Sequence, residues 1–148
     1  MNGKLNGQKI GFIGGGMMGE ALIAGLLRSG ACSAADIMAS DVSNTRLEHL
    51  RAKYGVSAEN DNMRIVGKCG IIVLAVKPQT LPDLLRDVGP SVHGDVIVVS
   101  IAAGVKIASL TWYAKAKVVR AMPNICAQVG EGITALSHTP NVTAADQA

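Results

Sequence analysis

The stretch Lys9-Ile-Gly-Phe-Ile-Gly-Gly-Gly-Met-Met-Gly-Glu-Ala-Leu-Ile-Ala-Gly25 decides how the rest of the chain is read. Lys9 to Gly14 has the composition of a short buried strand, and Met17 to Ser29 that of a helix closed by Gly30. Between them Gly14-Gly15-Gly16-Met17-Met18-Gly19 spells G-x-G-x-x-G. Alone, that hexapeptide arises by chance in a glycine-rich chain, and this one has 17 glycines. Its position after a strand and at the opening of a helix gives it weight. There Gly14 permits a tight turn, Gly16 lets backbone approach a pyrophosphate, and Gly19 lets helix and strand pack closely. The N–H groups and helix dipole at Met17 and Met18 then favour a negative ligand without a lysine.

Outward from this point, strands and helices alternate. Asp36 to Ser40 reads as a second strand ending at Asp41. Ser43 is a good helix N-cap, with Leu47, Leu50 and Tyr54 at helical spacing before Gly55. Val56 opens a short third strand, and Asn62 to Lys68 a brief helix. Ile71-Ile-Val-Leu-Ala-Val76 is the most apolar run, as expected of a strand covered on both faces in a parallel sheet. Helices over Pro78 to Val88 and Lys106 to Tyr113 alternate with strands over Val96 to Val99, Lys117 to Ala121 and Gly132 to Ser137. The expected fold is α/β, Rossmann-type and doubly wound, a mainly parallel sheet with helices on both faces. Residues 1–148 read as one domain without repeat or linker, and Thr143 to Asp146 looks like a further helix just starting.

Composition narrows the function. Hydrophobic residues make up 49% and aromatics only 3%, so the core is aliphatic. The net charge of +3 is scattered, with no polybasic run, which disfavours nucleic acid and suits an anionic small molecule. Cys32, Cys69 and Cys126 lie far apart with no CxxC pair, so neither a disulfide framework nor a metal site is expected, and a reducing cytoplasm is. Met-Asn-Gly-Lys is no signal peptide. The apolar stretch from Ile10 to Leu27 is broken by six glycines and Glu20, so no membrane span is expected.

Asp41 falls about twenty residues beyond Gly19, where an acidic residue binds the adenosine ribose hydroxyls in NAD-binding folds. Its charge opposes a 2′-phosphate and leans toward NAD(H), whereas Ser40, Ser43 and Arg46 could accept a phosphate if the loop turned them inward. In open parallel sheets ligands bind beyond the carboxyl ends of strands. Those ends carry Lys77-Pro78, Ser100-Ile101-Ala102-Ala103-Gly104 and Arg120-Ala121-Met122-Pro123-Asn124. Small residues in the second let a nicotinamide lie close to backbone, and Pro78 and Pro123 stiffen the neighbouring loops. Lys77 is a cation near the cofactor or an ordinary surface lysine. Asn124 bonds carboxamide or substrate, or makes a turn. His49, His93 and His138 have no partner pattern and Trp112 reads as packing. Glu59 and Asp61 read as solvated loop charge, and no catalytic residue is assigned.

Four stretches together resemble the pyrroline-5-carboxylate reductases: Ile10 to Gly25, Leu74-Ala-Val-Lys-Pro78, Val99-Ser-Ile-Ala-Ala-Gly-Val105 and Val119-Arg-Ala-Met-Pro-Asn124. The resemblance covers nearly the whole chain, and Ala-Met-Pro-Asn is its most specific part. It implies cofactor contacts at Ile13, Gly14, Gly15, Gly16, Met17 and Met18, then Asp41 and Asn62, then Ala75, Val76, Lys77 and Pro78, and finally Ile101, Ala102 and Ala103. Met122, Pro123 and Asn124 fall near the substrate. It also implies reduction of 1-pyrroline-5-carboxylate to L-proline by NADPH or NADH, the last step of proline synthesis. The chain departs from the family at Ile125-Cys126, where Thr-Pro is usual, and at Gly70, where an acidic residue is common. The family's all-helical second domain, which makes the homo-oligomer and binds the substrate carboxylate, has no counterpart in residues 1–148. The expectation is therefore the cofactor-binding, amino-terminal half of such an enzyme, either a cut piece or a truncated product. The alternatives are another imine or hydroxyacid reductase, or a non-catalytic module sensing NAD(H).

Overall fold

The computed structural model describes residues 5, 7–110, 116–124 and 134–148. Six parallel strands and one antiparallel strand form a single sheet in the order β3-β2-β1-β4-β5-β6-β7. In chain order they are β1 (Ile10–Ile13), β2 (Ile37–Ser40), β3 (Ser57–Glu59), β4 (Ile71–Leu74), β5 (Ile97–Ser100), β6 (Lys117–Pro123) and β7 (Thr134–His138). The helices are α1 (Met17–Ser29), α2 (Asn44–Tyr54), α3 (Asn62–Lys68), α4 (Leu81–Val88) and α5 (Ala144–Gln147). The chain winds outward from β1 to β3, then returns to place β4 on the other side of β1. That reversal creates the crevice at the carboxyl ends of β1 and β4.

The two-residue period of the strands divides the core into two layers. Ile10 and Phe12 of β1 join Ile37, Ala39 and Val73, packing against Ile23 of α1 and Leu50 of α2. Ile13, Ile72, Leu74 and Val98 face the other way, against Ile65 and Val66 of α3 and Leu84, Leu85 and Val88 of α4. Helices therefore cover both faces, as the continuous apolar run over 71–76 requires. Gly11 is the contact that lets α3 lie on β1. A Cβ there would fall 2.2 Å from Ile65 Cγ2 and 2.9 Å from Cys69 Sγ. Cys69 is buried, and burial pushes its thiol up to about 11, so it packs as a small hydrophobe.

Several boundaries differ from the sequence reading. The strand expected from Asp36 begins at Ile37, because Ala34–Asp36 form a 3-10 turn with a reciprocal Ser33–Asp36 capping box. β4 stops at Leu74. Ala75 still donates to Ile13 O at 2.8 Å, but β1 turns away at Gly14 and the ladders with β1 and β5 both end at Leu74. Between Lys106 and Leu110 there is only a 3-10 turn, Ile107–Ser109, where a helix was expected; the rest of that expected helix, with Trp112, lies outside the described residues. β6 runs on through Met122 and Pro123 because β7 pairs with it from Val119 to Pro123. Pro123, which has no N–H, takes the last place in that ladder. Ile125, Cys126, Gly132 and Ile133 lie outside the described residues. Among the described residues no helix is long and apolar enough to cross a membrane, and no three His, Cys, Asp or Glu side chains gather as metal ligands.

The Gly11 contact is testable by the smallest substitution. Gly11→Ala forces Ile65 and Cys69 to move and is expected to cost about 1–3 kcal/mol of stability by overpacking. Denaturant unfolding measures it, and an unshifted midpoint would refute the packing described.

Candidate functional site

Each glycine of the loop after β1 has its own physical reason. Gly14 has φ of 105°, in the left-handed region that favours glycine. A Cβ there would meet the Ala75 carbonyl oxygen at 2.6 Å, so β1 and the segment after β4 could not approach. At Gly19, inside α1, a Cβ would fall 2.6 Å from Gly14 O, which explains how closely the helix sits on the turn. Gly16 is different: a Cβ there would meet nothing within 4 Å. The space over Gly16 is open, beside the N-terminus of α1. The first N–H groups of α1, those of Met17 and Met18, have no intrahelical acceptors by helix geometry, and the helix dipole adds partial positive charge there. This is the arrangement expected for holding a diphosphate.

Gly15, the residue to which the motif gives no role, is gripped from both sides. Its N–H donates to Asp41 Oδ2 at 2.7 Å, and its carbonyl accepts from Arg46 Nε at 2.8 Å. The other oxygen of Asp41 accepts from Ser43 N–H at 2.8 Å, so the carboxylate spans the β2–α2 corner and the glycine loop. Arg46 also donates through Nη2 to Glu20 Oε2 at 2.6 Å. Glu20, on the first turns of α1, additionally meets His49 at 2.9 Å, Lys53 at 3.0 Å and Tyr54 at 2.8 Å. One carboxylate thus gathers four groups from α2. Burial by itself would raise the Glu20 carboxyl; hydrogen bonds from His49, Arg46, Lys53 and Tyr54 outweigh it and hold the group far below the ordinary carboxylate range.

Beyond the loop lies a cleft of about 400 Å³. Of the residues expected at the cofactor, Ile13, Gly14, Gly16, Asp41, Asn62, Ala75, Val76 and Lys77 line it. Gly15, Met17, Met18, Gly19 and Pro78 adjoin these in the chain without lining the cleft. Ile101, Ala102 and Ala103 follow β5 and Asn124 follows β6, farther along the same edge of the sheet. Ile101 N–H donates to Leu74 O at 3.2 Å, and Ala102 is buried in the α4-side core. Met122 and Pro123 belong to β6 itself.

Ser40, one of the residues considered for a phosphate, is fully buried and donates to Asn62 Oδ1 at 2.7 Å. That bond fixes the Asn62 amide and leaves its Nδ2 donors for the cleft. Asp61 is the N-cap of α3, accepting from Met63 N–H at 2.9 Å, and Glu59 pairs with Arg64 at 2.8 Å; neither is loose loop charge. His49, which has no partner pattern in the sequence, is bonded to Glu20. The Glu20 cluster escaped the sequence reading because its partners lie 26 to 34 residues away. The one local signal is Arg46, His49 and Lys53, spaced three or four apart on one helix face.

The sheet order, the switch point and the glycine turn define a Rossmann-type dinucleotide fold. The family model described as NADP oxidoreductase coenzyme F420-dependent matches residues 9–104, and the chain belongs to that family. By sequence it is 40% identical over 144 residues to the pyrroline-5-carboxylate reductase of Methanosarcina acetivorans, covering 96% of this chain and 53% of that protein. It is 36% identical over 146 residues to the pyrroline-5-carboxylate reductase of Escherichia coli K12, covering 95% and 53%. The structure of a pyrroline-5-carboxylate reductase from Coxiella burnetii superposes with a TM-score of 0.89 at 29% identity, over 96% of this chain and 53% of that one. The Plasmodium falciparum pyrroline carboxylate reductase, solved with NADP bound, gives 0.81 at 28% identity, over 95% and 51%. The chain therefore spans about half the length of the curated relatives it matches.

The depressed Glu20 carboxyl gives a pH prediction. A carboxyl held below its ordinary value of 4.5 stabilises the fold fully above that pH and loses the contribution as the pH falls below it. The difference in melting temperature between the wild type and Glu20→Gln should be largest near pH 7 and narrow toward pH 3. Thermal melts across that range check it; a gap independent of pH would mean the charge of Glu20 is not what holds α1 to α2.

Proposed function

We propose that the chain is the cofactor-binding part of a pyrroline-5-carboxylate reductase, an oxidoreductase that reduces the C=N bond of 1-pyrroline-5-carboxylate to give L-proline. The observation that carries this reading is the open space over Gly16 at the start of α1, in a chain whose sequence relatives carry that name. Residues 13–19 hold the diphosphate through the N–H groups of Met17 and Met18. Asp41 receives the adenosine ribose, and Asn62 offers its Nδ2 donors, oriented by Ser40. Ala75, Val76, Lys77 and Pro78, with Ile101, Ala102 and Ala103, form the floor on which the nicotinamide lies. Met122, Pro123 and Asn124 border the substrate.

A nicotinamide dinucleotide supplies the hydride, and a protonated cyclic imine is already a strong acceptor for it. The protein's task is then to orient two reactants and exclude water, which needs no nucleophile or acid–base pair from these residues. A second, helical domain of the kind the family carries would complete the pocket around the substrate carboxylate and join two copies. Residues 1–148 alone bind the dinucleotide and turn over little. Asp41 gives the preference for NAD(H) over NADP(H), since a 2′-phosphate on the ribose beside its carboxylate is repelled.

Three measurements test this. NADH or NADPH oxidation driven by 1-pyrroline-5-carboxylate should be weak with this chain and strong once a reductase helical domain is joined to it; inactivity of the joined protein despite tight dinucleotide binding would overturn the assignment. Gly16→Val fills the open space and should weaken NADH and NADPH binding more than tenfold by titration calorimetry. Unchanged affinity would remove the diphosphate from this loop. Asp41→Ser should raise the ratio of NADPH to NADH affinity, and no change in the ratio would mean that Asp41 serves only the Gly15 turn.

A further inference from the structure

Two residues capable of sorting the adenosine ribose meet at Gly15. Asp41 takes its N–H and Arg46 its carbonyl, so a carboxylate and a guanidinium from beyond β2 flank a single residue of the loop after β1. In folds of this kind a carboxylate here binds a ribose 2′-hydroxyl, while an arginine nearby accommodates a 2′-phosphate. Arg46 is positioned for the second task by its place one turn into α2, but its donors are turned elsewhere. Nε is bonded to Gly15 O, and Nη2 forms a 2.6 Å ion pair with Glu20, whose side chain is only 16% exposed. The partly exposed guanidinium (31%) is thus held against α1 rather than presented to the cleft. Glu20 can let Arg46 go at modest cost, because His49, Lys53 and Tyr54 remain bonded to it.

We propose that Glu20 is a specificity-determining residue that acts through Arg46, holding the guanidinium on the glycine loop and away from the ribose 2′ position. This rests on the reading of the loop as a dinucleotide site. With the Glu20–Arg46 pair closed, a 2′-substituent meets the Asp41 carboxylate without the guanidinium beside it, which favours NAD(H). NADP(H) is admitted when Arg46 leaves Glu20 and turns its planar fork to the 2′-phosphate, an exchange of one charge-assisted pair for another. Glu20 touches neither ligand; it is a positioning residue, distinct from Asp41, which faces the ribose directly. The two residues disfavour NADP(H) by separate means, Asp41 by repulsion and Glu20 by sequestering the guanidinium bonded to the turn.

The experiment titrates NADH and NADPH into the wild-type chain, Glu20→Gln and Glu20→Gln/Arg46→Met. Glutamine keeps the shape of Glu20 and weakens its hold on Arg46, so the NADPH-to-NADH affinity ratio should rise about five- to tenfold. In the double variant the freed cation is gone, and the ratio should return to the wild-type value or below. A purely structural role for the cluster would instead lower both affinities together in both variants, leaving the ratio fixed, and that result overturns the proposal. A rise in the ratio that persists without Arg46 overturns it too, because Glu20 would then act directly through its charge. If Glu20→Gln does not fold, Glu20→Asp, which withdraws the carboxylate by one methylene, should give a smaller shift in the same direction, and an unmoved ratio counts against the proposal. Failure of the wild type to bind either dinucleotide would sink the site reading itself, and is distinguishable from failure of this inference.

Discussion

The close approach of Gly14 to the Ala75 peptide is the constraint on which the rest depends. A single methyl group at Gly14 would lie 2.6 Å from the Ala75 carbonyl oxygen, and the backbone there has a positive φ that L side chains avoid. Because β1 can turn back so sharply against the end of β4, α1 begins directly over the sheet's switch point. Gly19 then brings the helix down onto the same turn. The helix N-terminus, its dipole and its unpaired amides are thereby aimed at the crevice where the strand order reverses. Steric permissiveness at two positions places the electrostatics at a third.

The loop so formed is held by polar contacts from outside it. Asp41 holds the N–H of Gly15 and Arg46 its carbonyl, fixing the peptide groups on either side of that residue, and Glu20 anchors Arg46. A loop made of three consecutive glycines is costly to order, because glycine loses the most backbone freedom on folding. The charge-assisted bonds to Gly15 offset part of that cost before any ligand arrives, which is a form of preorganisation. The same contacts tie the glycine loop to the corner between β2 and α2 through the shared use of one residue, Gly15.

Much of this was legible in the residues. The strand–glycine–helix order, the apolar run over 71–76 and the alternation after it read as a doubly wound sheet, because hydrophobic period and glycine placement are local signals. So was the candidate cleft in outline: Gly14, Gly16, Asp41, Asn62 and Ala75 to Lys77 all line it. Element ends were less legible. The end of β4 at Leu74 is decided by where β1 and β5 stop pairing with it, and the length of β6 by β7, none of which is written in the strand concerned. The antiparallel pairing of β7 is likewise a property of two segments together.

The sequence by itself determined the order of elements, the aliphatic core and the position of a glycine turn before a helix, since each follows from residue type and spacing within a few neighbours. Tertiary structure alone decided that Glu20 would gather Arg46, His49, Lys53 and Tyr54, that Ser40 would be sealed against Asn62, and that Asp41 would grip Gly15. These contacts join residues 22 to 34 positions apart on different elements. Their partners are chosen by how α1, α2 and α3 pack on the sheet, and packing is a collective outcome that no local pattern encodes.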